Sequence, residues 1–107
     1  MNDDLSNFLE NNLFSELKDI ISSSQVGFEK ESLRALNSNI SQSNHSESLG
    51  SALCNQYITT DFSEAQLELV IPPFQDKSKG LSFLDDIHHF ISCNLEEEIL
   101  WPFSMPP

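Results

Sequence analysis

Between Glu64 and Ile71 the chain alternates without a break: Glu64, Gln66, Glu68 and Val70 fall on one side, and Ala65, Leu67, Leu69 and Ile71 on the other. A period of two is the pattern of a strand with one face buried. Here the exposed face is acidic. The residues just before it, Ile58-Thr59-Thr60-Asp61-Phe62-Ser63, extend the segment and add a third carboxylate, Asp61, at its entrance.

A second segment, Gly27-Phe28-Glu29-Lys30-Glu31-Ser32-Leu33-Arg34, carries Glu29 and Glu31 two residues apart, on one face if the segment is extended. If both segments lie in one sheet with these faces together, Glu29, Glu31, Glu64 and Glu68 converge, with Asp61 beside them. Unit charges about 4 Å apart repel by roughly 4 kcal/mol at an effective dielectric near 20, so such a cluster takes up protons or a cation. Hard divalent cations favour oxygen ligands, and Mg²⁺ is commonly held by a few carboxylates while it grips substrate phosphates. The ordinary alternative is a solvated acidic sheet face or a glutamate-rich edge strand.

Seventeen acidic side chains against five basic ones give a formal net charge of −12, which argues against nucleic acid or an anionic membrane as a direct partner. No apolar run approaches bilayer-spanning length, and Met1-Asn2-Asp3-Asp4 lacks the basic start of a secretion signal, so a cytoplasmic location is expected. At 107 residues there is room for one domain, with eight Phe toward a modest core. Cys54 and Cys93 have no metal-type spacing and are expected as reduced, partly buried thiols.

Leu5, Phe8, Leu9, Leu13, Leu17, Ile20 and Ile21 recur at helical spacing, with Phe14 broadening the stripe and Asn2, Asp3 and Asp4 able to cap and favour the start. This predicts an amphipathic helix, core-facing or partner-facing, ended by Ser22-Ser23-Ser24. Residues 36–50 are rich in Ser and Asn and read as an exposed connection, with a short helical turn after a solvated His45. Pro72 and Pro73 end the second strand. Leu81, Leu84, Ile87, Ile91 and Leu95, with Phe83 and Phe90, predict a second amphipathic helix from about residue 79 to 95 that packs on the sheet. On it, Asp85 precedes His89 by four residues, a spacing for an intrahelical pair, and neither His88 nor His89 is assigned a ligand role. The tail Trp101-Pro102-Phe103-Ser104-Met105-Pro106-Pro107 is barred from regular helix by its prolines.

The blocks GFEKESLR (27–34), HSESLGSAL (45–53), ITTDFSEAQLEL (58–69), LDDIHHF (84–90) and WPFSMPP (101–107) occur in this order and at similar spacing in proteobacterial glutamate–cysteine ligases, and the chain resembles the amino-terminal part of one. It departs from the commoner family pattern at Cys54, Asn55 and Gln56 and in the Ser/Asn-rich connection. The resemblance implies an α+β fold, antiparallel β-sheet segments flanked by two amphipathic helices, within a glutamine-synthetase-like/guanido-kinase-like catalytic fold. It also implies that residues 1–107 are an incomplete piece of one catalytic domain, with a missing carboxy-terminal portion as its partner.

By the same resemblance, Glu29, Glu31, Asp61 and Glu68 fall on acidic positions that hold Mg²⁺ or Mn²⁺. Glu64 shares the polar face, either as a further site residue or as a partner for a basic group such as Arg34. Trp101 and Met105 stand either near the substrate pocket or as core anchors. The implied reaction uses ATP to join L-glutamate, through its γ-carboxylate, to L-cysteine, the first step of glutathione biosynthesis, and the 107 residues alone are expected to be inactive. The alternative is a non-catalytic acidic module that binds a partner through its helices.

Overall fold

A computed structural model describes residues 2–107, the side chain of Asn2 excepted, so the capping expected of Asn2 lies outside the described residues. Five strands form one antiparallel sheet: β1 (Glu29–Leu36), β2 (Asn39–Ile40), β3 (Ile58–Thr60), β4 (Gln66–Val70) and β5 (Ile99–Leu100). Helix α1 (Asn2–Ser23) precedes them, and α2 (Lys77–Asn94) lies between β4 and β5.

The alternating octet behaves as its period dictates. Ala65, Leu67, Leu69 and Ile71 are buried, while Glu64, Gln66, Glu68 and Val70 are at least partly exposed. The buried face meets α2, whose Ile87, Ile91 and Leu95 complete a core with Leu49, Ile58, Leu67, Leu69 and Ile71. α2 starts where the side chain of Asp76 accepts a hydrogen bond from the Ser78 amide at 2.9 Å, satisfying one of the helix's free donors. One turn on, Gly80 lets the helix close on Phe28: a Cβ there would stand 3.1 Å from the ring.

The expected continuous segment 58–69 is instead a hairpin, β3–β4, closed by hydrogen bonds from Asp61 N to Gln66 O (3.1 Å) and Gln66 N to Ser63 O (3.0 Å). The Ser/Asn-rich connection is also more structured than its composition suggests. Asn37 and Ser38 take positive φ (50° and 62°) between the paired residues Leu36 and Asn39, the two-residue turn whose twist matches that of the flanking strands. Ser41 and Leu49 are buried, and a 3₁₀ turn spans Glu47–Leu49.

Arg34 ties this region together. It is buried, with about 1% of its surface exposed, and its guanidinium donates to Glu98 (3.0 and 2.7 Å), to the Ser43 carbonyl (2.7 Å) and to the Glu64 carbonyl (3.0 Å). The Ser41 hydroxyl also donates to Glu98 at 2.7 Å. Burial works against the Glu98 carboxylate, but the hydrogen bonds from Ser41 and Arg34 and the guanidinium charge outweigh it and hold its pKa below the usual range.

Helix α1 is formed as expected and ends at Ser23, where the Ser23 and Ser24 hydroxyls donate to the carbonyls of Ile20 and Ile21. It is not part of the core: every described residue from Asp3 to Ser23 is exposed. The described chain is accordingly elongated, 69 × 27 × 21 Å. Cys54 and Cys93 are free thiols, and both are exposed rather than partly buried, because each sits on an outward face. Among the described residues, no helix is long and apolar enough to cross a membrane.

Two substitutions test this division. In denaturant unfolding of the 107-residue chain, Leu67→Ala should cost about 2–5 kcal/mol, whereas Phe14→Ser on α1 should change stability by no more than about 0.5 kcal/mol. Glu98, with its lowered pKa, adds stability above its unfolded pKa of about 4.3 that is lost as pH falls through the folded value. Glu98→Gln, which leaves the Arg34 charge buried and unpaired, should therefore cost roughly 3–5 kcal/mol at pH 7, the deficit closing in thermal unfolding below about pH 4.

Candidate functional site: an acidic sheet face

The β1–β4 register pairs Glu29 with Val70, Glu31 with Glu68 and Leu33 with Gln66. Hydrogen bonds from Arg34 N to Ala65 O and from Ile71 N to Phe28 O fix the phase of the ladder. That phase makes Glu31 and Glu68 a non-hydrogen-bonded pair, the closer of the two kinds of cross-strand neighbour. Glu29 lies two residues away on the same face. On the other side of β4, Thr59 of β3 opposes Glu68.

This face is the one α2 does not cover, so the carboxylates stand at an open surface: Glu29, Glu31 and Asp61 are exposed and Glu68 is half-buried. The pKa of Glu68 is raised, first by its partial burial and then by repulsion from Asp61, Glu29 and Glu31. Asp61, Glu29 and Glu31 thus each act electrostatically on Glu68. Gln66 offsets part of the repulsion by donating its side-chain N–H to Glu31 at 2.9 Å.

The donor set suits a hard divalent cation, being all carboxylate oxygen on one wall and carrying mutual repulsion that a cation would relieve. As positioned, no three acidic, histidine or cysteine side chains among the described residues close on a single point within reach of one ion.

Glu64 stands apart from the other acids. Its carboxylate accepts the His45 amide at 2.7 Å, and it does not hold Arg34, whose carboxylate partner is Glu98. Arg34 meets only the backbone of Glu64. His45 is not simply solvated: its Nε2 lies 2.9 Å from the Gly50 carbonyl oxygen, and its Nδ1 is enclosed. The expected Asp85–His89 pair is not formed. His89 Nε2 lies 3.6 Å from Cys93 Sγ, the next turn along, while Asp85 acts on His88. Burial and the nearby Lys30 charge push the His88 pKa down, against the pull of Asp85.

Trp101 extends the β1–β5 pairing by one residue, its amide donating to Leu33 O at 2.8 Å opposite that residue. Opposed residues share a face, so the indole stands on the side of Glu31. Its Nε1–H donates to the Met105 carbonyl at 2.6 Å and its ring meets Phe103 edge-on, making an open apolar concavity that Met105 also lines. Met105 is 78% exposed and anchors no core.

A residue that sequence reasoning did not place is Thr59, whose hydroxyl donates to the Ala52 carbonyl at 2.9 Å. Its signal, a Thr-Thr pair before Asp61, becomes legible only once the hairpin sets it beside Glu68.

A model of the glutamate–cysteine ligase family matches residues 9–107. Over 81 residues the chain is 51% identical to a glutamate–cysteine ligase of Vibrio vulnificus (strain YJ016), covering 75% of this chain and 15% of that one. Over 90 residues it is 46% identical to that of Wigglesworthia glossinidia brevipalpis, covering 83% of this chain and 18% of the relative. Among solved structures, a glutamate–cysteine ligase from Francisella tularensis in complex with AMP superposes with a TM-score of 0.72 at 39% identity, over 75% of this chain and 16% of that one. A bifunctional glutathione synthetase from Pasteurella multocida gives 0.79 at 35% identity, over 86% and 13%. The chain therefore spans less than a fifth of the length of these relatives.

The raised Glu68 pKa has a definite sign in stability. Its contribution is fully present below the unfolded pKa of about 4.3 and is lost as pH rises through the folded value. Glu68→Gln should therefore raise the unfolding temperature at pH 7, and the gain over the unsubstituted chain should vanish by about pH 4 in a thermal series.

Proposed function

Because the chain belongs to the glutamate–cysteine ligase family, we propose that residues 1–107 form the acidic sheet wall of a catalytic domain that uses ATP to join the γ-carboxylate of L-glutamate to the amine of L-cysteine. The observation that carries this reading is the opposition of Glu31 to Glu68, with Glu29 on the same face and Asp61 near enough to perturb Glu68.

The chemistry requires such a wall. An amine does not displace oxide from a carboxylate, so the γ-carboxylate must first be phosphorylated by ATP; the cysteine amine then attacks the acyl phosphate and phosphate leaves. An anionic carboxylate must thereby approach a polyanionic nucleotide. Bare carboxylates would repel both, and Glu29, Glu31, Asp61 and Glu68 are the residues that would hold Mg²⁺ or Mn²⁺. The ion supplies charge neutralisation and alignment of the transferred phosphoryl group. The chain's own part is to hold Glu29, Glu31 and Glu68 on one face of a paired sheet with Asp61 at the hairpin mouth, the side chains having still to converge before they share an ion.

Gln66 holds Glu31 by its hydrogen bond, and Thr59 is fixed against the Ala52 carbonyl beside Glu68. The indole of Trp101, on the same face, walls the carbon skeleton of a substrate, with Met105 on the adjoining concavity. Glu64 is spent on the His45 loop and positions the hairpin mouth instead of holding metal. The AMP complex of the Francisella tularensis relative supports ATP as the substrate here. Among the described residues the site has little basic charge to bind triphosphate, the only arginine, Arg34, being buried in its ion pair. The working location is the cytoplasm.

The test is a chimera: the Vibrio vulnificus ligase with its matching stretch replaced by this chain, assayed for γ-glutamylcysteine formation with Mg²⁺ or Mn²⁺. It should be active, and Glu31→Gln or Glu68→Gln should lower kcat/KM by roughly 10²–10³, while Glu64→Gln should stay within about tenfold. The 107 residues alone should form no product. A folded chimera whose activity ignores Glu31 and Glu68 would overturn the reading and leave a non-catalytic acidic module.

A further inference from the structure

We propose that α1 docks through an apolar ridge into a basic-rimmed apolar groove, supplied by the part of a glutamate–cysteine ligase domain that this chain does not span. Leu5, Leu9, Leu13, Leu17 and Ile21 recur every four residues and make one row along the helix, with Ile20 beside it. Each of these six side chains is between 45% and 62% exposed. Such a continuous apolar face marks an interaction surface. A helix of this length also draws most of its stability from packing an apolar face, and every described α1 residue from Asp3 to Ser23 is exposed. A side-chain tie to the body is Gln75 Nε2 donating to the Ser22 carbonyl at 3.0 Å, at the very end of the helix.

Two observations select the occupant. First, the family match begins at residue 9, inside α1, so the ridge from Leu9 to Ile21 lies within the stretch the family shares. The relatives are more than five times the matched length, which leaves ample chain to form the groove. Second, α1 carries Asp3, Asp4, Glu10, Glu16 and Asp19 against Lys18, within a chain of net charge −12. A second copy would bring like charges together at the rim, whereas a basic rim would complement them. The proposal rests on family membership and is independent of which carboxylates act in catalysis.

Hydrogen–deuterium exchange on the intact 107-residue chain and on the chimera described above tests it. The α1 amides from Leu5 to Ile21 should exchange at least ~100-fold more slowly in the chimera than in the isolated chain. Leu13→Asp with Leu17→Asp should erase that protection and lower the chimera's unfolding temperature by about 5 °C or more, while the isolated chain's unfolding is unchanged. Should the aspartates prevent the chimera from folding, Leu13→Ala with Leu17→Ala gives the same comparison in milder form. Equal α1 exchange in both contexts, or a chimera that fails to fold with α1 unsubstituted, overturns the proposal. So does a concentration-dependent dimer of the isolated chain that the aspartates dissolve, since the occupant would then be a second copy. Protected α1 in a chimera indifferent to Glu68 would refute the catalytic reading alone.

Discussion

The register between β1 and β4 is the constraint on which the rest depends. Leu67 and Leu69 are fully buried beneath α2, and a slip of one residue would turn both into water and bring Gln66 and Glu68 into the core. Burial of two leucines stabilises the native phase by several kcal/mol, at roughly 1.5–3 kcal/mol for each fully buried side chain. That is enough to hold Glu31 opposite Glu68 although the two repel. The acidic face is the unavoidable back of an apolar one, and hydrophobic burial does the positioning that carboxylates could not do for themselves.

Two partly buried glutamates illustrate how neighbours decide the character of one residue type. Glu98 meets a guanidinium and a hydroxyl, and its pKa falls; Glu68 meets three other carboxylates, and its pKa rises. The first belongs to a hydrogen-bonded structural network joining β1, the Ser41–Ser43 segment and the lead-in to β5. The second is locally frustrated, and frustration of this kind concentrates where a protein binds or reacts.

What the sequence disclosed follows the same physics. The strand at 66–70, the acidic face, the end of α1 at its serines and the length of α2 each rest on a local period or a local competition for hydrogen bonds, which a single chain exhibits without knowing its neighbours. Arg34 cannot be assigned that way, because its carboxylate partner lies 64 residues on, and the pattern offers Glu64 only as one of two alternatives, a site residue or a partner for Arg34. The 37–38 turn was hidden because Asn-Ser is a weaker signal for positive φ than Asn-Gly. Ser41 and Leu49 were read as exposed from the polarity around them, although tertiary contacts bury both. For the site, sequence pattern placed Glu64 and Glu68 on one face. The opposition of Glu68 to Glu31 needed a register that two separated segments do not specify.

The distribution of exposed apolar surface complements the acidic face. Besides α1, large side chains stand in water at Leu53, at Phe62 on the β3–β4 hairpin tip, and at Phe103 and Met105 in the tail. Phe62 adjoins Asp61, and Phe103 meets Trp101 on the side of Glu31, so apolar and acidic surfaces border one another. A cation held by carboxylates in open water gains little over its own hydration, because the high dielectric weakens each charge. Covering the bordering apolar surfaces would lower the local dielectric around Glu68 and its neighbours and raise the penalty for leaving them uncompensated. Closure over the apolar rim and binding of the proposed cation at the acidic wall would therefore be thermodynamically coupled, each making the other more favourable.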